Sequence, residues 1–204
     1  DLSLKNNFNK LIKFDPDVII NCAALTDVDK CEKNKTLAYK TNIVITKNLV
    51  SLAQKLNSKF IQISTDHVYD NPKNKNVENK INLRNYYSLS KRISEIEALK
   101  YYKSLILRTN FFGVSNNDNG NLNWFFESIK KKQIITLFND VYFSPIYIKT
   151  LCEIINKILK KNIYGIFNLG SVNAITKERF FLMISKKKCL DIKFKSKKLK
   201  SVIK

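Results

Sequence analysis

A chain of 204 residues, 44% hydrophobic and 26% charged, suffices for one domain with a full core or a domain plus a small lobe, and its balance is that of a globular protein. No apolar run approaches the roughly 20 residues that span a bilayer, no basic and apolar leader opens the chain, and four scattered cysteines without a C-x-x-C pair argue against a disulfide framework or a metal site. The net charge of +20 would suit nucleic acid, but Lys is spread through the whole chain among Asn and Ile, as codon bias produces, and Lys far outnumbers the Arg that phosphate and base recognition favour. Neither nucleic acid nor a membrane is therefore expected as a partner, and a cytoplasmic, reducing location is expected.

In chain order, Leu4 to Lys13 predicts a helix that Asp15-Pro16 stops. Asp17-Val18-Ile19-Ile20-Asn21-Cys22 is β-branched and lacks alternation, which predicts a strand buried on both faces of a parallel sheet. After a polar turn, Leu37, Ile43, Val44, Leu49, Val50 and Ala53 recur at helical spacing between Thr36 and Leu56. Phe60 to Ser64 predicts the next strand, Asp70 to Asn85 a polar loop, Tyr86 to Tyr102 a helix, and Leu105 to Arg108 a third strand. This alternation predicts an α/β fold with a doubly wound parallel sheet of Rossmann type. Beyond Phe111 the pattern loosens. Trp124 to Lys131 and Lys149 to Lys160 predict helices, Gly165 to Leu169 a short strand, and Thr176 the cap of a helix running through Phe180 and Met183. The expected division is a sheet domain over 1–110 and a smaller mixed lobe over 111–204.

Tyr87 and Lys91 lie four apart at the start of a predicted helix, so phenol and ammonium share a face. A nearby cation lowers a phenol's pKa from about 10 and makes proton exchange with a carbonyl practical. A lone Tyr-x-x-x-Lys also arises by chance, as a solvated pair. Ser64-Thr65-Asp66 sits at a strand's carboxyl end, where open α/β sheets bind ligands, although strand-end turns favour the same residues. Asn21-Cys22-Ala23-Ala24, at another strand end, has small side chains suited either to a close ligand approach or to tight packing.

Taken together, the motifs over Asp17 to Glu32, Ile63 to Asp70, Tyr87 to Lys91 and Leu107 to Thr109, with Tyr142 to Ile146 and Gly165 to Gly170, resemble the dTDP-4-dehydrorhamnose reductases, extended short-chain dehydrogenase/reductases. The resemblance covers nearly the whole chain. It implies NADPH- or NADH-dependent reduction of the C4 keto group of a nucleotide-linked deoxysugar, for surface polysaccharide synthesis. By the same resemblance, Tyr87 protonates the sugar oxygen, Lys91 tunes Tyr87 and holds the nicotinamide ribose, and Thr65 bonds the carbonyl and the phenol. Asp1, Leu2, Ala23, Ala24 and Thr26 would meet the cofactor, with Asn42 in support. His67, Asn110, Phe111 and Ser144 are substrate-side candidates, the lobe over 111–204 would bind the substrate, and a homodimer is the candidate assembly.

The sequence departs from that family in lacking its opening Gly-x-x-Gly-x-x-Gly turn, since the four glycines stand at 113, 120, 165 and 170. The chain begins about where the first βαβ unit would finish and stops before the family's closing Arg-Pro segment. The expectation is therefore a truncated sheet with an exposed apolar edge, prone to aggregate. His67 stands where the family commonly has Tyr, and Phe111 where it often has Trp. The competing readings are an epimerase or dehydratase of nucleotide sugars, a non-catalytic relative of the kind that partners methionine adenosyltransferase, and a basic nucleic-acid binder, in that order.

Overall fold

The computed structural model describes residues 2–4, 8–69, 77–114 and 120–199. These fall into two compact units: the first takes Asp1–Asn71, Lys75–Thr109 and Ile155–Leu169, the second Asn110–Ile154 and Gly170–Lys204, each in its described residues.

In the first unit, α1 (Asn9–Phe14) ends at Asp15, whose left-handed φ of 48° turns the chain into β1 (Val18–Asn21). The stretch after β1, expected as a plain polar turn, contains a further short helix, α2 (Val28–Lys33). Asp27 caps it by accepting from the Lys30 N–H, and Asn34 then caps α3 (Lys35–Ala38) by accepting from Leu37. The expected long amphipathic helix is continuous from there but not uniform. A π-helical turn over Tyr39–Val44 separates α3 from α4 (Ile45–Lys55) and turns Asn42 inward. Next come β2 (Lys59–Thr65), a 3-10 turn (Asp66–Val68), α5 (Tyr86–Leu99) and β3 (Ser104–Phe112), which outruns its predicted length.

The strands of this unit are parallel, in the order β1, β2, β3 and then β7 (Gly165–Leu169), with Thr65 opposite Thr109 and Thr109 opposite Leu169. One face packs Phe60 and Ile106 against Leu49, Val50 and Ala53 of α4 and Ala98 of α5. The other packs Ile61, Leu105 and Leu107 against Ile155, Ile158 and Leu159, from the second half of α7 (Ile148–Leu159). Helices on both faces make this the doubly wound α/β sheet that strand–helix alternation predicts. β1 is the exception to full burial: pairing among the described residues is with β2 alone, and Ile20 is 41% exposed.

The second unit contains α6 (Asn121–Lys130), β4 (Ile135–Phe138), β5 (Tyr142–Phe143), β6 (Pro145–Tyr147), β8 (Ile175–Thr176), α8 (Lys177–Lys187) and β9 (Phe194–Lys197). β4 pairs with β9, β5 with β8, and Asn110–Phe112 of β3 with β6. Leu122, Phe125, Leu137, Phe143, Phe180 and Phe181 fill its core. Thr176 caps α8 by accepting from the Arg179 N–H, as its position predicts.

Candidate active site

The first turn of α5 is fixed before its chemistry begins. Asn85 accepts from the Ser88 N–H at 2.8 Å, and the Ser88 hydroxyl reaches back to Asn85, closing a capping box. Glu32, the last residue of the first sequence motif, accepts from the Tyr86 N–H. The Tyr87 ring is buried with Cys31 and Ala38, and His67 meets it edge-on with ring centroids 5.6 Å apart. Its hydroxyl is hydrogen-bonded to the Thr65 side chain. Thr65, the last residue of β2, also accepts from the His67 N–H at 3.1 Å and so caps the 3-10 turn that carries the histidine.

Lys91, one turn beyond Tyr87, is 3% exposed and donates from Nζ to the Ile63 carbonyl at 2.8 Å. Burial lowers its pKa to about 8, against the opposing pull of Glu95 and Cys22. The phenol departs from expectation. Burial raises the Tyr87 pKa, the Thr65 hydrogen bond pulls it down, and Asp66 and Cys31 push it up. The lowered phenol expected from a neighbouring cation is thus reversed: desolvation outweighs the available hydrogen bond, and the ammonium is engaged by a backbone carbonyl. The resulting group is a neutral phenol at neutral pH, and burial makes it a weaker acid than a free phenol.

Ala23 and Ala24 follow the carboxyl end of β1 and are half-buried, while Thr26 is exposed. The Ala23 N–H is taken by Asn21 Oδ1, and the Leu25 N–H by Asn42 Oδ1 at 2.7 Å. Asn42 Nδ2 donates in turn to the Leu25 carbonyl and to Ser90 Oγ, so the π-helical turn fastens the loop after β1 to α5. Leu2 packs against the same apolar cluster as Ala23, and its carbonyl lies 3.5 Å from Asn48 Nδ2. Asp1 lies outside the described residues, as does Asp70.

The donor set fits the ribose end of a nicotinamide dinucleotide. An ammonium has three protons, and Lys91 commits one to Ile63, leaving two for a vicinal diol. No glycine precedes Gly113 in the sequence, so these residues account for the ribose end and not for a pyrophosphate cradle. Among the described residues, no group of three or more His, Cys, Asp or Glu is placed to hold a metal, and no helix is long and apolar enough to cross a membrane.

In the second unit a cavity of about 240 Å³ is lined by Asn110, Phe111, Phe112, Asn121, Lys177 and Phe180, among others. It opens at the N-terminus of α6, and the Lys177 ammonium lies 3.8 Å from the centroid of the Phe143 ring. Phe111 is 49% exposed and presents an aromatic face. Ser144 does not line this cavity. Its carbonyl oxygen instead approaches Gly170 so closely that an added Cβ there would meet it at 2.7 Å.

The functional reading of the sequence left Glu95, Arg108, Ser64 and Glu32 without roles, yet Glu32 accepts from the Tyr86 N–H and the other three are bonded to one another beside the candidate residues. Glu95 and Arg108 form a fully buried ion pair, with Arg108 Nη2 2.7 Å from Glu95 Oε2 and both side chains at 0% exposure. The signal was present, since Glu95 stands four residues after Lys91 and Arg108 interrupts an apolar strand in a chain that otherwise prefers Lys.

Comparison with known proteins agrees with this geometry. The spore coat polysaccharide biosynthesis protein SpsK of Bacillus subtilis is 28% identical over 166 residues, covering 77% of this chain and 57% of that protein. The chain spans 54% to 59% of the length of the first three curated relatives it matches. Among solved structures, a dTDP-4-dehydrorhamnose reductase from Bacillus anthracis in complex with NADP superposes with a TM-score of 0.91 at 24% identity, over 100% of this chain and 73% of that one. A hypothetical dTDP-4-dehydrorhamnose reductase from Sulfolobus tokodaii gives a TM-score of 0.85 at 34% identity, over 97% of this chain and 71% of that one. The family model described as "RmlD substrate binding domain" matches residues 1–201, through both units and across the Thr65, Tyr87 and Lys91 edge, and the chain belongs to that family.

Proposed function

We propose that this chain carries the proton-donating machinery of an NADPH- or NADH-dependent reductase acting on the C4 keto group of a nucleotide-linked deoxysugar. The observation that carries the reading is the buried Tyr87 phenol, hydrogen-bonded to Thr65 at a strand's carboxyl end, with buried Lys91 one turn along the same helix. Thr65 aligns the phenol with the carbonyl oxygen of the sugar. Tyr87, neutral at pH 7 as a phenol ordinarily is, gives its proton to that oxygen. The phenolate left behind is stabilised by the Thr65 hydroxyl, with Lys91 four residues further along the same helix. The two remaining Lys91 protons would hold the hydroxyls of the nicotinamide ribose. The dinucleotide, when bound, supplies the hydride. Asn110, Phe111 and Lys177, which line the cavity of the second unit, suit a nucleotide-linked sugar through an amide, an aromatic face and a cation.

The test is titration with NADPH and NADH, followed by turnover of dTDP-4-dehydrorhamnose, on the chain and on any longer polypeptide its gene encodes. Micromolar dinucleotide binding with stoichiometric sugar reduction is expected where a pyrophosphate cradle is present. Absence of dinucleotide binding in every form would sink the reading and favour a non-catalytic, partner-binding relative.

A further inference from the structure

Three side chains of α5, four residues apart, reach the same strand. Tyr87 bonds Thr65, Lys91 Nζ donates to the Ile63 carbonyl at 2.8 Å, and Glu95 Oε1 accepts from Ser64 Oγ at 2.5 Å. The reductase reading uses the first two contacts and leaves the third without a purpose. Glu95 Oε1 also accepts from Arg108 Nε at 2.9 Å, and Oε2 accepts from Arg108 Nη2 at 2.7 Å and from Arg92 Nη1 at 3.1 Å. Arg108 is held on its far side, where Nη1 donates to the Tyr69 hydroxyl and the Glu78 carbonyl, both at 2.7 Å. Withdrawing such a pair from water costs several kcal/mol per ion, and apolar side chains of like volume commonly pack such a site at least as well. Stability alone therefore does not account for an ionised pair one turn beyond Lys91.

We propose that Glu95 is a positioning residue for the Tyr87–Lys91 pair: clamped by Arg108, it fixes the register of α5 on β2 through Ser64 and sets a buried negative charge one turn from the Lys91 ammonium. The proposal rests on the reductase reading for what the pair does, but not for how the pair is held. The groups around Lys91 are Glu95 on α5, Cys22 after β1, and the Ile63 carbonyl on β2. Arg92 and Arg108 moderate Glu95, and Asp66, His67 and Cys31 face Tyr87 rather than Lys91. Burial drives Lys91 towards the neutral amine, and Glu95 is the first charge opposing it.

The test follows the ionisation midpoint of Lys91 in the whole chain, without cofactor or sugar, by NMR of isotope-labelled lysine side chains. The signal is assigned by its loss in Lys91→Arg. Glu95→Gln, which leaves two arginines uncompensated, is expected to lower the midpoint by about one pH unit, and Arg108→Met, which strengthens the field of Glu95, to raise it by a similar amount. A merely structural pair would lower the melting temperature in both variants without opposite movements of the midpoint. Equal movements, or none, in folded variants overturn the proposal. Should the buried variants not fold, Arg92→Gln decides: its side chain is 26% exposed, so the fold is expected to survive its loss, and a midpoint that fails to rise overturns the proposal. Because the titration involves no turnover, opposite midpoint shifts in a protein that reduces no sugar would leave the clamp standing and sink the reductase reading alone.

Discussion

The interior of the first unit holds Asn21, Gln62, Ser64, Lys91, Glu95 and Arg108, each at most 5% exposed, whereas the interior of the second is mostly aromatic, with Phe125, Phe143, Phe180 and Phe181 packed ring against ring. A polar interior is sensitive to each partner, because removing one group strands another in a medium that cannot solvate it. An aromatic interior depends on volume and tolerates exchange of shape. The family's candidate chemistry sits in the unit whose side chains have directional partners. That is physically reasonable, since directional bonds fix a phenol and an ammonium to within a few tenths of an ångström.

The strongest way to probe this contrast is at the phenol. Tyr87→Phe removes one oxygen from a ring packed on Cys31 and Ala38, so the fold is expected to survive and circular dichroism to be unchanged. Loss of the proton donor is expected to lower kcat by about 10² to 10⁴-fold, with KM for the sugar nucleotide nearly unchanged. A loss of less than tenfold would assign the proton to another group.

Next in size is the buried ion pair. Arg108→Met leaves Glu95 without its bidentate partner, and the expected cost is about 3–5 kcal/mol in urea unfolding. The double variant Glu95→Met with Arg108→Met is expected to recover most of that loss, because no charge is then left stranded. Recovery of stability without recovery of kcat would separate what the pair contributes to folding from what it contributes to the site.

How far these two interiors were legible differs for a physical reason. Apolar periodicity reveals which residues face inward, and it located α4, α5, β2 and β7 and the helices around Phe125 and Phe180. It is blind to which polar groups find one another. Asn21 meets Gln62 across 41 positions and Asn42 meets Ser90 across 48, and nothing local marks either pair. Likewise, α2 is one short turn whose signal is only Asp27 as a cap, and the π-helical turn arises from a demand on Asn42 made by the distant Leu25 backbone. The motif residues Thr65, Tyr87 and Lys91 were legible as a set. The raised phenol was not, because burial is a property of the whole unit rather than of the residue.

A smaller effect should appear in the pH dependence of stability. Lys91 titrates near 8 in the folded chain and at 10.5 as a free side chain. Between those values the unfolded chain binds more protons than the folded one, so this group makes stability rise with pH across that window. Below about pH 8 its full penalty, about 3 kcal/mol, is present, and above about 10.5 it is gone. Lys91→Met is expected to flatten the rise. An unchanged slope in the variant would mean that the ammonium is better solvated than its burial implies.

The least effect is expected in the aromatic interior, and it bears most directly on the contrast between the units. Phe125 is fully buried, with its ring 4.7 Å from that of Phe181 and 5.8 Å from that of Phe126. Phe125→Leu keeps an apolar side chain of comparable volume and strands no polar atom, so the cost should stay below about 1.5 kcal/mol. Ser64→Ala removes a single oxygen, yet Glu95 Oε1 then loses its 2.5 Å donor inside a site water does not reach, at a cost of about 1–3 kcal/mol. If the larger change at Phe125 proves cheaper than the one-atom change at Ser64, partner count rather than volume governs the first unit. The reverse order would mean that Arg108 and Arg92 satisfy Glu95 without Ser64, and that the polar interior is held by ion pairs instead of by a wider network.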